Sequence, residues 1–296
     1  MDTLASPNPS SHLLGKVILI TGATSGIGEA TALALAEKSA TVVIVGRNLE
    51  RADSTVINIR RSSHNPNVDF LLADLSSLEE VRKLAIDFKS RYGRLDVLIN
   101  NAGGVFFKRK ISIDGLEMTF ALNHISYFLL TNLLVDLMQA TAEKEGEARI
   151  INVSSNAHYG ARIDLDDLMF ERRSYTIGGF PAYAQSKLAN VLFTFELAHR
   201  LEGSPITANA LHPGFVATNL GKNNGRLGKL IMSLANKFAN NTQAGAQTPI
   251  YLASWPDVSG VSGKYFEKCQ PAIPDKQAND SELATRLWKL SEEIIA

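Results

Sequence analysis

The sequence predicts an α/β protein. It reads as one doubly wound domain, with about seven strands in a mainly parallel sheet and helices on both faces. Three observations predict this. Short runs rich in β-branched residues alternate with segments of helical periodicity. The first such run ends in a glycine-bearing loop that opens the first helical segment. The chain has 296 residues, 45% hydrophobic and 20% charged, with no repeat, low-complexity tract or linker to divide it.

Residues 16–21 (KVILIT) form an apolar run that stops at glycine, as a strand covered on both faces does. Residues 27–38 follow at helical spacing. A second strand is expected at 41–45, a weaker helix at 49–62, and a third strand at 68–73. Residues 77–92 read as a helix, with Ser77 as N-cap and Glu80 three residues on. The fourth strand is 95–99. The second half is less regular. Residues 118–139 read as helix, 148–153 as strand, and 156–180 as a long loop. A strong helix spans 181–201, with proline in its first turn. A sixth strand covers 206–211, a helix 242–253, a last strand 263–266 and a terminal helix 281–295. Residues 1–14 are read as a flexible segment before a single domain at 15–296.

Composition excludes several function classes. Lysine plus arginine is 30 and aspartate plus glutamate is 30, so the basic excess of a dedicated nucleic-acid binder is missing. One cysteine, Cys269, precludes an intramolecular disulfide and a cysteine-built metal cluster. The longest apolar run is roughly five residues at 32–36, against ~18 for a membrane span. Residues 1–12 are polar and proline-bearing, without a signal-peptide pattern. The expectation is a soluble, cytoplasmic protein with no membrane span and no metal.

The loop 21–28 (TGATSGIG) lies between the first strand and the first helix, the position that gives glycine spacing its meaning. Gly22 lets the chain turn sharply. Gly26 and Gly28 let backbone approach a ligand and let helix pack on strand. The helix start offers N–H groups and partial positive charge to a pyrophosphate. A Rossmann-type dinucleotide site is therefore expected; a bare glycine turn is the plain alternative. NAD binders place a carboxylate ~20 residues on, at the end of the second strand. That strand ends Val45-Gly46-Arg47-Asn48, with no acid. The Arg47 guanidinium suits a 2′-phosphate, so NADP(H) is preferred and NAD(H) stays the alternative. Asp74, after the third strand, is placed to accept from an adenine amino group or to serve as a turn aspartate.

Tyr183 and Lys187 are spaced i,i+4 on the strong helix, so both reach one ligand. A phenol near pKa ~10 is a weak base at neutrality, and an ammonium close by favours the phenolate. Such a tyrosine can exchange a proton with a carbonyl or alcohol oxygen. The strand at 148–153 ends in Ser154 and Ser155. Asn100-Asn101-Ala102-Gly103 ends the fourth strand, and Pro213-Gly214 with Thr218 follows the sixth. All fall at the carboxyl ends of strands, where ligands bind in parallel sheets.

Together these residues resemble the short-chain dehydrogenase/reductase family, over roughly 15–270. The segment 182–201 and Ala121-Leu122-Asn123-His124-Ile125 look most like its retinol dehydrogenase-like branch. The resemblance implies a catalytic set. Tyr183 is the acid/base, and Ser155 rather than Ser154 holds the substrate oxygen. Lys187 lowers the tyrosine pKa and holds the nicotinamide ribose, while Asn123 orders a water. It implies cofactor contacts from Gly22, Thr24, Ser25, Gly26, Ile27 and Gly28 in the loop. Further contacts come from Arg47 and Asn48, from Asp74 and Leu75, and from Asn101, Ala102 and Gly103. After the sixth strand they come from Pro213, Gly214, Val216 and Thr218, with Tyr183 and Lys187 completing the set. Residues 219–241 resemble a substrate lid, with Leu227, Leu230, Ile231 and Leu234 as its apolar face. Phe106, Phe107, Tyr159 and Phe180 add apolar wall, which favours a hydrophobic aldehyde, ketone or alcohol, with reduction as the net direction. Residues 156–179 form an insertion whose acidic and basic residues read as a solvated rim. His158 and His212 read as structural. A homo-oligomer is expected. Two other readings remain: a non-catalytic NADP(H)-binding redox sensor, and a protochlorophyllide reductase-like enzyme.

Overall fold

The computed structural model describes residues 13–175, 179–214 and 242–296. Their strands form one sheet in the order β3-β2-β1-β4-β5-β6-β7-β8. These are β1 (Val17–Thr21), β2 (Thr41–Gly46), β3 (Val68–Leu72), β4 (Val97–Asn100), β5 (Ala148–Val153), β6 (Ile206–His212), β7 (Lys264–Glu267) and β8 (Gln270–Ala272). The first seven pair in parallel; β8 is antiparallel to β7.

The continuous apolar strands arise because both faces are covered. Leu19, Val43 and Val45 point into one core, and Ile18, Ile20, Val42 and Ile44 into the other. Helices α1 (Gly26–Glu37), α2 (Leu49–Ser63) and α7 (Thr242–Ser254) cover the second face. The first is covered by α3 (Leu78–Arg91), α5 (Ser126–Glu145) and α6 (Phe180–Arg200). The last helix, α8 (Ser281–Ile295), lies on α6. Its Trp288 ring sits 4.8 Å from Phe128 and 5.7 Å from Phe193, with the Arg200 guanidinium 4.2 Å from the indole.

The structure departs from the sequence reading at five places. The sheet has eight strands, not seven. Its last hairpin turns at Lys268 and Cys269, both at positive φ (52° and 61°) without glycine, so no turn signal marks it. The helix expected to end at 139 continues to Glu145, where Gly146 caps it at φ 96°. That helix begins as α4 (Met118–Phe120) and passes through a π-helical turn (Ala121–Ile125) before α5. Residues 118–145 are long and apolar enough to cross a membrane, but 72% of the apolar window is buried inside the protein, as a core helix requires. The long loop after β5 holds two 3₁₀ turns, Asn156–His158 and Leu165–Asp167. Leu13, assigned to the leading segment, is buried, and its N–H donates to Lys38 O at 3.2 Å.

Candidate active site

The glycine loop is built by backbone packing. Gly22 and Gly26 both have φ 65°, which L side chains rarely adopt. A Cβ on Gly22 would lie 2.7 Å from Ala102 Cα, and one on Gly28 only 2.6 Å from Asn101 Nδ2. Thr21 and Asn101 tie the loop to β4. Thr21 Oγ1 accepts from the N–H groups of Asn101 (2.8 Å) and Ala102 (3.0 Å), while Asn101 Nδ2 donates to Thr21 O (2.8 Å) and Gly22 O (3.2 Å). A Cβ on Gly46, at the end of β2, would strike Thr24 Cγ2 at 2.4 Å. That contact brings Arg47, an exposed residue, beside the loop.

The start of α1 differs from those of α2, α3 and α8. Asn48, Ser77 and Asp280 cap α2, α3 and α8 by accepting a backbone N–H through their side chains. Ser25 caps α1 without any side-chain hydrogen bond. The first-turn N–H groups of α1 are thus not taken by the cap, and the crowded glycines keep the backbone bare around them. This cradle fits a dinucleotide pyrophosphate. Asp74 Oδ1 accepts from Ser76 N (3.0 Å) and Ser76 Oγ (2.7 Å), so its turn role is met in the structure. Leu75 is buried beside it.

The two serines after β5 separate by their partners. Ser154 Oγ donates to Lys187 O at 2.7 Å and is buried. Ser155 Oγ accepts from Ala157 N at 3.2 Å, and its hydroxyl draws down the pKa of Tyr183. Tyr183 is 8% exposed and Lys187 3%. Lys187 Nζ donates to Val153 O at 3.0 Å and lies 5.8 Å from the ring centres of Tyr183 and Tyr127. Burial raises the Tyr183 pKa, and the Ser155 hydrogen bond opposes it. Burial also brings Lys187 down to about 7. Ser155 thus draws the phenol down, against burial. The lysine is engaged by a carbonyl and is itself desolvated.

Asn123 lies in the π-helical turn, a form often found at functional sites. Its Oδ1 accepts from Gly104 N (2.8 Å), and its Nδ2 donates to Gly104 O (3.0 Å) and Ser186 Oγ (2.9 Å). Ser186 in turn donates to Tyr183 O at 2.7 Å. A Cβ on Gly103 would lie 3.3 Å from Asn123 Oδ1 and 3.5 Å from Lys187 Nζ, so glycine keeps one spot within reach of both. The neighbour His124 is wholly buried, with Nδ1 3.4 Å from Asn190 Oδ1 and Nε2 3.1 Å from Ser291 Oγ on α8.

The expected solvated rim is corrected at one residue. Asp167 is 5% exposed and accepts from the N–H groups of Glu171, Arg172 and Arg173 and from Arg173 Nε. Desolvation opposes its charge, yet these donors hold its pKa at about 2. Sequence reasoning also missed Ser186, Glu117 and Tyr175. Glu117, fully buried, accepts from Thr119 N and Phe120 N at 2.8 Å and from Tyr175 OH at 3.0 Å. An acid just before an apolar helix was its signal. Phe106 is buried, whereas Phe180 is half exposed with its ring 6.3 Å from that of Tyr183. Pro213 and Gly214 directly follow β6, at the same strand ends. Val216, Thr218 and the expected lid at 219–241 lie outside the described residues.

The fold, with these residues gathered at its strand ends, is that of an oxidoreductase acting on CH–OH and C=O groups. A family model for short chain dehydrogenase matches residues 16–163, and the chain belongs to that family, which binds a nicotinamide cofactor. Its sequence is retinol dehydrogenase-like. It is 41% identical over 286 residues to Retinol dehydrogenase 13 of Homo sapiens, covering 95% of this chain and 85% of that protein. It is 40% identical over 289 residues to Short-chain dehydrogenase TIC 32 B, chloroplastic, of Brassica napus, covering 94% and 88%. Among solved structures, a protein from Mycobacterium Paratuberculosis superposes with a TM-score of 0.76 at 32% identity, covering 96% of this chain and 95% of that one. The Pseudomonas aeruginosa RhlG/NADP active-site complex gives 0.67 at 28% identity, covering 88% and 96%.

Proposed function

We propose that the protein interconverts a hydrophobic aldehyde or ketone and its alcohol with NADP(H), Tyr183 acting as the acid/base. The observation that carries this is the pairing of Tyr183 and Lys187, both buried on one helix at the strand ends, with Ser155 near enough to draw the phenol's pKa down. When bound, the nicotinamide supplies or accepts the hydride. Ser155 holds the substrate oxygen while Tyr183 gives its phenolic proton to it, and the reverse step returns that proton. Lys187, near neutrality in its ionisation, and Asn123 flank the spot that Gly103 leaves open, and both serve the proton's way out. Arg47, with no acid at the end of β2, supports NADP(H) over NAD(H). The named cofactor of the Pseudomonas aeruginosa neighbour agrees with that preference. Phe180 beside Tyr183, and relatives named retinol dehydrogenase, support an apolar substrate such as a retinoid. A free Cys269 suits a reducing, cytoplasmic setting. Self-association would use surface other than the part of α6 that α8 covers.

Tyr183→Phe tests the reading. NADPH-dependent reduction of a medium-chain aldehyde should fall by about 10³-fold, with NADPH binding retained. Turnover that survives the change would remove Tyr183 from the chemistry and leave a different acid to be found. Retained NADPH binding with no turnover in the unmodified protein would instead favour a redox sensor.

A further inference from the structure

The turn after β5 is gripped by two histidines that the proposed chemistry does not use. The Ser155 carbonyl accepts from His158 N at 3.0 Å and faces His158 Nδ1 at 2.7 Å. The other ring nitrogen, Nε2, meets Asp275 N at 3.1 Å. The next amide, Asn156 N, donates to His212 Nδ1 at 3.3 Å. A carbonyl can only accept and a backbone amide can only donate. His158 therefore carries its proton on Nδ1 and leaves Nε2 bare, while His212 leaves Nδ1 bare. Both rings are neutral in this arrangement. Burial works in the same direction, lowering the pKa of each. The groups that face His158 are Tyr159 at 4.1 Å and Tyr265 at 4.8 Å between ring centres, and Asp275, with Glu267 and His212 beyond. His158 itself has no exposed surface.

We propose that His158, as its neutral Nδ1–H tautomer, is a positioning residue that fixes the Ser155 peptide and so aims the Ser155 hydroxyl at the substrate oxygen. The inference rests on the reading of Ser155 given above. The carbonyl of Ser155 is held twice by one residue, through its amide and its ring. The ring is anchored in turn by Asp275, 117 residues further on. Asp275 is itself fixed, because its carboxylate accepts from Gly160 N and Gln277 N at 2.9 Å. The Ser155 backbone is extended (φ −165°, ψ 153°), and its Oγ direction follows that peptide. Removing the imidazole leaves the carbonyl one bond and a free tilt, which costs alignment at the hydroxyl and leaves the cofactor cradle untouched.

The test has two parts. Nitrogen-15 NMR of the full chain at neutral pH should show His158 protonated at Nδ1 and bare at Nε2; the opposite tautomer, or an imidazolium, would overturn the proposal. In parallel, His158→Leu and His158→Asn are assayed with NADPH and decanal. His158→Leu should lower kcat about tenfold while KM for decanal and NADPH affinity stay within about twofold. His158→Asn restores a donor near the Nδ1 position and should recover most of that loss. An unchanged kcat in His158→Leu, a loss carried by KM, or no recovery in His158→Asn would each overturn it. If His158→Leu fails to fold, the tautomer and the His158→Asn kcat decide. Ser155→Ala separates the two readings: turnover surviving that change refutes the role of the serine itself, whereas its loss alongside an intact His158→Leu refutes only the histidine.

Discussion

The two halves of the strand-end rim are held by different means. From β1 to β4 close glycine packing does the holding: Gly22 and Gly28 press against Ala102 and Asn101, and the Thr21 and Asn101 side chains bond the peptide groups between them. From β5 to β7 side chains do it: Ser154 on Lys187, Lys187 on Val153, His212 under Asn156. The first half leaves bare peptide for a large polyanion and is sensitive to one added carbon. The second half aims single functional groups and is sensitive to one lost partner. A cofactor common to many chemistries can be met by backbone alone; a particular proton transfer needs a particular side chain in a particular pose.

The contrast can be broken most forcefully at Gly22→Ala. The new Cβ would meet Ala102 Cα at 2.7 Å with φ at 65°, so both backbone and packing must give. NADPH affinity should drop by about 100-fold or more, measured by quenching of protein fluorescence, whereas a folded Ser155→Ala variant should bind NADPH normally. Equal losses in the two would dissolve the distinction.

Acid should destabilise the fold through His124, in the π-helical turn between the two halves. Burial takes His124 from the usual 6.5 down to about 4. The unfolded chain thus binds more protons between those values, and stability is lost as pH falls through that window. The loss should reach about 3 kcal/mol for this one group. Denaturant melts at pH 6.5 and 4 should show it, and His124→Asn should remove that share of the dependence, leaving what His158 and His212 contribute.

Arg47→Asp sharpens the comparison on the cofactor side, where an added acid should reverse the preference. The kcat/KM ratio of NADPH to NADH should fall about 30-fold, and an unchanged ratio would detach Arg47 from the 2′-phosphate. The smallest effect belongs to Ser186→Ala. It removes one partner of Asn123 Nδ2 while Gly104 keeps the other two bonds. A loss in kcat of about fivefold is expected, with NADPH binding unmoved; a larger effect on binding than on kcat would contradict it.

The same contrast explains what could be read in advance. The glycine loop and strands β1 to β7 were legible because glycine freedom and apolar runs are properties of neighbouring residues. The i,i+4 pair Tyr183 and Lys187 was legible for the same reason. Asp167, Glu117 and the grip on Ser155 were not. Glu117 meets Tyr175 58 residues away and His158 meets Asp275 117 away, and no local pattern encodes such partners. The π-helical turn escaped because its residues read as ordinary helix. Strand β8 escaped because Pro271 and a glycine-free turn look like loop. The bond from Lys187 Nζ to Val153 O was not legible either, since spacing says nothing of where an ammonium is directed.

The contact between α8 and the π-helical turn has a consequence for how the chain comes into being. His124 finds Ser291 only across 167 residues of sequence. On the ribosome, the dinucleotide cradle can assemble while much of the polypeptide is still to be made. The imidazole next to Asn123 stays without that partner until the last helix has left the exit tunnel. The turn that carries Asn123 thus gains its last partner long after the glycine loop and β1 to β4 have been made.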